Sequence, residues 1–174
     1  MSLILLRHTR PDMPKGLCYG RTDLLPDAGF PQTASEIARD LPSVEGIVTS
    51  PLTRCHMLAS HIGDARNLPV ETDKRLIEKD FGTWENTPWD DIPREQLDAW
   101  AADFLGARSH GGESVSMLRD RVEDALNDMN RSRGPVLWVT HSGVIRAACA
   151  ILNLHDGWDT ALEFGAWLEI SPTP

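Results

Sequence analysis

The sequence predicts a three-layer α/β/α fold around a mostly parallel sheet, and three observations carry that expectation. An apolar run at the N-terminus, Leu3-Ile4-Leu5-Leu6, stops abruptly at Arg7-His8-Thr9, as a strand buried on both faces does when it reaches its end. Two later runs, Gly46-Ile47-Val48-Thr49 and Val136-Leu137-Trp138-Val139-Thr140, each pass through a polar turn into helix-like sequence. Strand, turn and helix recurring in that order indicate parallel strands covered by helices.

The elements follow along the chain. Leu3 to Leu6 supplies the first strand, and Asp27 to Leu41 carries apolar residues at helical spacing. After the second strand, Ser50-Pro51 forms an N-cap and first-turn pair for a helix running to about Ala65. Asp80 to Gly112 is irregular, with Pro88, Pro93, Gly111 and Gly112 interrupting short helical pieces such as Arg94 to Phe104. A segment of that kind is expected to cover an active site. Glu113 to Arg131 places Val115, Leu118, Val122, Ala125, Leu126 and Met129 on one helical face. The third strand then leads through His141-Ser142-Gly143 into a helix over Val144 to Leu152, and Phe164 to Ile170 reads as a closing strand.

At 174 residues the chain fits one domain, 1–174, with the cover segment at about 80–112. A net charge of -9 disfavours nonspecific contact with nucleic acid, so an anionic small molecule requires a local basic pocket. The three cysteines, Cys18, Cys55 and Cys149, have neither disulfide-like nor zinc-like spacing, which points to packing roles in a reducing cytoplasm. His56 and His61 are five apart and do not share a helix face as a metal-binding pair would. No run is long enough to span a membrane, and the chain does not open like a signal peptide. Most of the six tryptophans are expected as core or partly buried packing residues, with stacking on an aromatic leaving group the alternative for Trp84 and Trp89 in the cover segment.

Open α/β sheets bind ligands beyond the carboxyl ends of their strands. Arg7 and His8 therefore sit at the mouth of a site, where arginine offers a permanent planar charge and neutral imidazole a nucleophile. Ser50-Pro51-Leu52-Thr53-Arg54 follows the second strand, Arg75-Leu76-Ile77-Glu78 comes next, and Thr140-His141-Ser142-Gly143 ends the third. In this order and spacing the motifs resemble the histidine phosphatase superfamily, which includes phosphoglycerate mutases. The resemblance covers nearly the whole chain and extends to Tyr19-Gly20-Arg21-Thr22-Asp23, Phe81-Gly82-Thr83-Trp84-Glu85 and Gly111-Gly112-Glu113-Ser114. The segments from Cys18 to Asp23 and from Asp80 to Glu85 look most like α-ribazole phosphatases of cobalamin biosynthesis.

That resemblance implies a phosphomonoesterase acting on a small phosphorylated substrate, without cofactor or metal, nucleic acid or membrane. It makes His8 the nucleophile that becomes phosphohistidine, with Arg7, Arg54, His141 and Ser142 binding the phosphoryl group. Glu78 takes the place of the general acid, with Asp80 and Glu85 as neighbouring carboxylates that could serve instead. Tyr19, Gly20 and Arg21 become substrate contacts. A phosphoglycerate mutase, a protein-phosphohistidine phosphatase and a noncatalytic phosphate-binding module remain alternatives, and the oligomeric state is open. Two positions depart from the family pattern: Thr9 and Ser142 stand where glycine is frequent. A β-branched residue disfavours positive φ, so Thr9 is expected at negative φ, and a carbonyl in its turn is the expected partner for the second nitrogen of His8.

Overall fold

The computed structural model describes residues 2–129, 134–154 and 156–170. Its sheet has the strand order β3-β2-β4-β1-β5, where β1 is Leu3–Arg7, β2 Gly46–Thr49, β3 Val70–Thr72, β4 Val136–Thr140 and β5 Trp167–Ile170. The first four strands run parallel, and β5 pairs antiparallel with β1, matching Leu3 to Ile170 and Leu6 to Trp167.

Alternation along β1 builds the two faces of the sheet. Ile4 and Leu6 join Ile47, Leu137 and Val139 beneath helices α1 (Phe30–Asp40) and α2 (Thr53–Arg66). Leu3 and Leu5 join Val136 and Trp138 beneath α4 (Val115–Met129) and α5 (Ser142–Ile151). A strand buried on both faces needs no polar alternation, which is why β1 and β4 read as continuous apolar runs. The helix α3 (Arg94–Ala102) belongs to a smaller cluster, in which Cys18, Trp84 and Ile92 are buried against Phe81, Trp89, Leu97 and Trp100. All three cysteines are buried and unpaired. No helix among the described residues is long and apolar enough to cross a membrane.

The differences from the sequence-based expectation have local causes. The first helix begins at Phe30 instead of Asp27, because the Asp27 carboxylate accepts the Gly29 N–H at 3.0 Å and holds a turn ahead of it. Leu52, not Ser50, occupies the N-cap of α2. Ser50 Oγ accepts the Leu52 N–H, while the Thr53 N–H and hydroxyl go to the carboxylate of Asp23, at 2.8 and 2.7 Å. The acid that caps α2 thus comes from a loop thirty residues earlier in the chain. Strand β3 is only three residues long, lies at the sheet edge and is not apolar enough to announce itself. The helix expected to end at Arg131 is described to Met129, and its last two expected residues lie outside the described residues.

Candidate active site

Every candidate catalytic residue lies at or beyond the carboxyl end of a parallel strand. Arg7 ends β1 and His8 follows it; Arg54 is the second residue of α2, after β2; His141 follows β4 as the N-cap of α5. Glu78 lies beyond β3, after a 3-10 turn over Lys74–Leu76. The loop carrying it is fastened from two sides. Thr140 Oγ1 donates to the Leu76 carbonyl at 2.8 Å, and Arg121 of α4 donates to the carbonyls of Arg75 and Glu78 while pairing with Glu113 at 2.7 Å.

His8 is 2 % exposed. Its Nδ1–H donates to the Thr9 carbonyl at 2.6 Å, and Nε2 accepts Arg54 Nε–H at 3.3 Å. Those partners select the tautomer whose Nε2 carries a lone pair. Burial, and then the charge of Arg54, push the imidazole down to about 3, so it stays uncharged at neutral pH. Thr9 keeps a negative φ: among the described residues other than glycine, positive values occur at Asn67, Asn86 and Asn153. The turn therefore forms with a β-branched residue in place of glycine.

Arg54 is fully buried, donating to the carbonyls of Thr22 at 2.8 Å and Gly20 at 2.7 Å. Arg7 donates to the Leu162 carbonyl at 2.6 Å and lies 3.9 Å from the centre of the Phe164 ring, and its buried Nε has no partner. Among the described residues neither arginine has an ion pair. Two guanidinium charges without a carboxylate leave positive charge that an anion could neutralise, because removing such charges from water is costly. His141 is fully buried, with its ring centre 5.1 Å from that of His8 and its Nε2 2.7 Å from Ser50 Oγ. Burial, His8 and Arg54 hold it well below its usual range.

The three nearby carboxylates differ in what they do. Glu85 accepts backbone N–H groups from Gly20, Arg21, Thr22 and Phe81 and the Thr22 hydroxyl, and is thereby committed to tying the Tyr19–Thr22 loop to the segment after Asp80. Asp80 caps Gly82 and lies 3.7 Å from Arg21. Glu78 instead rests on the N-terminus of α5, its carboxylate accepting the N–H of Lys79 at 2.8 Å and of Gly143 at 3.0 Å. Gly143 permits that approach, since a Cβ there would collide with the Glu78 carboxylate.

Glu78, Ser142 and Gly143 open into a cavity of about 490 Å³ walled by Phe81, Trp100, Phe104 and Trp158. The tryptophans facing it are therefore Trp100 and Trp158, not Trp84 and Trp89. Trp84 is 2 % exposed, with its indole N–H given to Gln96 at 2.8 Å, and packs against Trp89. Tyr19 lies over Arg54, with 5.3 Å from ring centre to guanidinium carbon, and the Gly20 carbonyl holds the same guanidinium. Arg21 turns away towards Asp80 and Glu113, at 3.7 and 3.6 Å. Sequence reasoning missed Phe164, whose ring centre is 5.5 Å from that of His8, and Ser50 as the partner of His141. Nothing local marks Phe164; it arrives because Gly165, at positive φ, gives its N–H to the carbonyls of Arg7 and His8.

Comparison with known proteins agrees with this geometry. A phosphoserine phosphatase of Hydrogenobacter thermophilus is 30% identical over 165 residues, covering 88% of this chain and 77% of that protein. An adenosylcobalamin/α-ribazole phosphatase of Salmonella typhimurium is 28% identical over 186 residues, covering 98% and 90%. The structure of a mycobacterial glucosyl-3-phosphoglycerate phosphatase superposes with a TM-score of 0.82 at 26% identity, covering 97% of this chain and 88% of that one. The family profile described as histidine phosphatase superfamily (branch 1) matches residues 3–173, and the chain belongs to that superfamily as a phosphatase.

Proposed function

We propose that the enzyme hydrolyses a small phosphomonoester through a covalent phosphohistidine on His8, with the alcohol part of the substrate in the cavity beside Glu78. One observation carries this reading: two arginines without carboxylate partners flank an imidazole whose Nε2 lone pair is unprotonated. A phosphoryl group supplies the missing negative charge, held by Arg7, Arg54 and His141 and by the backbone at Ser142 in the first turn of α5. Nε2 attacks phosphorus, the ester P–O bond breaks, and Glu78 gives its proton to the leaving oxygen. The resulting carboxylate then takes a proton from the water that opens the N–P bond, which restores His8. Tyr19 and Gly20 position Arg54, whereas Arg21 braces the loop against the cover segment over 80–112.

The aromatic walls favour an alcohol with a flat apolar body. α-Ribazole phosphate is the first candidate, supported by the Salmonella relative and by the cavity walls of Phe81, Trp100, Phe104 and Trp158. The test is phosphate release from α-ribazole phosphate, phosphoserine and 3-phosphoglycerate by the wild type and by His8→Ala. The expected result is fastest turnover of α-ribazole phosphate, with an acid-labile phosphoprotein in the wild type and none in His8→Ala. Isomerisation of 3-phosphoglycerate primed by bisphosphoglycerate, without phosphate release, would overturn hydrolysis in favour of a mutase. Binding of all three esters without turnover would leave a phosphate-binding module.

A further inference from the structure

The cavity beside Glu78 contains a group that phosphate hydrolysis does not use. Lys79 is 4 % exposed, and its Nζ lies 2.7 Å from His110 Nε2 and 4.2 Å from the centre of the Phe81 ring. Among the described residues it has no ion pair. The buried His110 determines which partner donates. Its Nδ1 accepts the Gly112 N–H at 2.9 Å and so carries no proton. An imidazole with a bare Nδ1 carries its proton on Nε2, and that N–H faces Nζ. Lys79 must then offer a lone pair, which an ammonium lacks. Burial favours the same state, pushing Lys79 down to about 8 although Glu113, Cys18, Glu78 and Asp80 oppose it. His110 is likewise pushed down to about 4, by burial first and then by Lys79, with Arg108 acting in the same sense and Asp80 and Glu85 against.

We propose that Lys79 is an amine of lowered basicity in the wall of this cavity, and that its uncharged form, turning Nζ from His110, captures aldehydes with an aromatic body as imines. Phe81, Trp100, Phe104 and Trp158 receive the ring, and Nζ reaches the carbonyl carbon. The N–C bond forms as the carbonyl π bond opens. Both amine hydrogens then leave with the carbonyl oxygen as water, so the C=N product needs no oxidant or reductant. Hydrolysis reverses the step. Capture also fills the space assigned above to the leaving alcohol, a consequence that rests on the proposed function; the amine site does not.

The chain has three lysines, and Lys15 and Lys74 are exposed, so they serve as internal references. The wild-type protein is treated with benzaldehyde and cyanoborohydride at pH 7.5, and benzylated peptides are followed over time by mass spectrometry. Lys79 is expected to react at least about tenfold faster than either reference, because far more of it is unprotonated at that pH. In His110→Glu, a carboxylate facing Nζ holds it as ammonium and the advantage disappears. Labelling of wild-type Lys79 no faster than Lys15 and Lys74 overturns the proposal, whether or not the variant folds; so does full wild-type labelling in a folded His110→Glu. The readout is mass alone, so its failure is distinct from any failure of phosphatase activity.

Discussion

The two ends of the site are built on opposite terms. Around His8, the polar groups come from the ends of β1 and β4 and from the first turn of α2, are buried except for the half-buried Arg7, and include two cations without counter-charges among the described residues. Around Lys79, the walls come from the segment after Asp80, from α3 to α5 and from Trp158, set four aromatic rings beside Arg146 and Asp159, and carry an amine whose basicity burial lowers. The contrast teaches that one end waits for charge and the other offers ring faces to an apolar body. Under the proposed function, a phosphate ester of a flat alcohol meets both at once.

Arg54→Met is the most direct way to break the contrast, since it removes the charge while keeping an unbranched side chain. A reduction in kcat of about a thousandfold is expected for every substrate, because the guanidinium acts where charge develops on the phosphoryl oxygens. Stopped-flow measurement of phosphoenzyme formation places the loss. An unchanged rate of His8 phosphorylation would show that the buried cation serves folding alone.

Glu78→Gln tests the junction of the two ends. Its amide oxygen can accept only one of the Lys79 and Gly143 N–H groups, which Glu78 receives on separate oxygens, and it cannot supply a proton. A reduction of roughly a hundredfold is expected for alkyl phosphates and clearly less for 4-nitrophenyl phosphate, whose leaving group needs little protonation. Equal losses on both would point instead to one of the neighbouring carboxylates. Trp100→Ala belongs to the aromatic end alone. It should raise KM about tenfold for an aromatic ester, with kcat nearly unchanged, and leave small aliphatic esters unaffected, as loss of uniform binding does.

How much of each end was legible in the sequence follows from how it is built. Arg7, His8 and His141 sit directly after apolar strands, so a strand end and a reactive side chain appear together in a few residues. The α/β layers were readable for the same reason, since runs buried on both faces and helical stripes are local patterns. Distant partners were not legible. Asp23 caps α2 across thirty residues, His110 reaches Lys79 across 31, and Gly165 swings Phe164 under Arg7 from the far end of the chain. The aromatic wall was not legible either: Trp84 packs at the centre of the small cluster with Cys18 and Ile92, and the rings that face the cavity come from Phe81, Trp100, Phe104 and Trp158.

The smallest expected effect separates the two ends by pH. Unfolded histidine titrates near 6.5, whereas folded His8 is pushed down to about 3, by burial first and by Arg54 second, and His141 is lowered by burial, His8 and Arg54. Between those values the unfolded chain binds protons that the folded chain refuses, so stability falls as pH drops below about 6.5. Each buried histidine contributes up to about 1.4 kcal/mol per pH unit. Lys79, lowered from 10.5 to about 8, obeys the same sign in another window: its contribution is complete above about 10.5 and is lost as pH falls towards 8. Denaturant midpoints measured across pH should therefore show His8→Asn flattening the acid limb and leaving the alkaline limb alone, with Lys79→Met doing the reverse. If both variants flatten the same limb, the two ends are coupled through a shared proton, and the division between a charge-seeking end and an aromatic end fails.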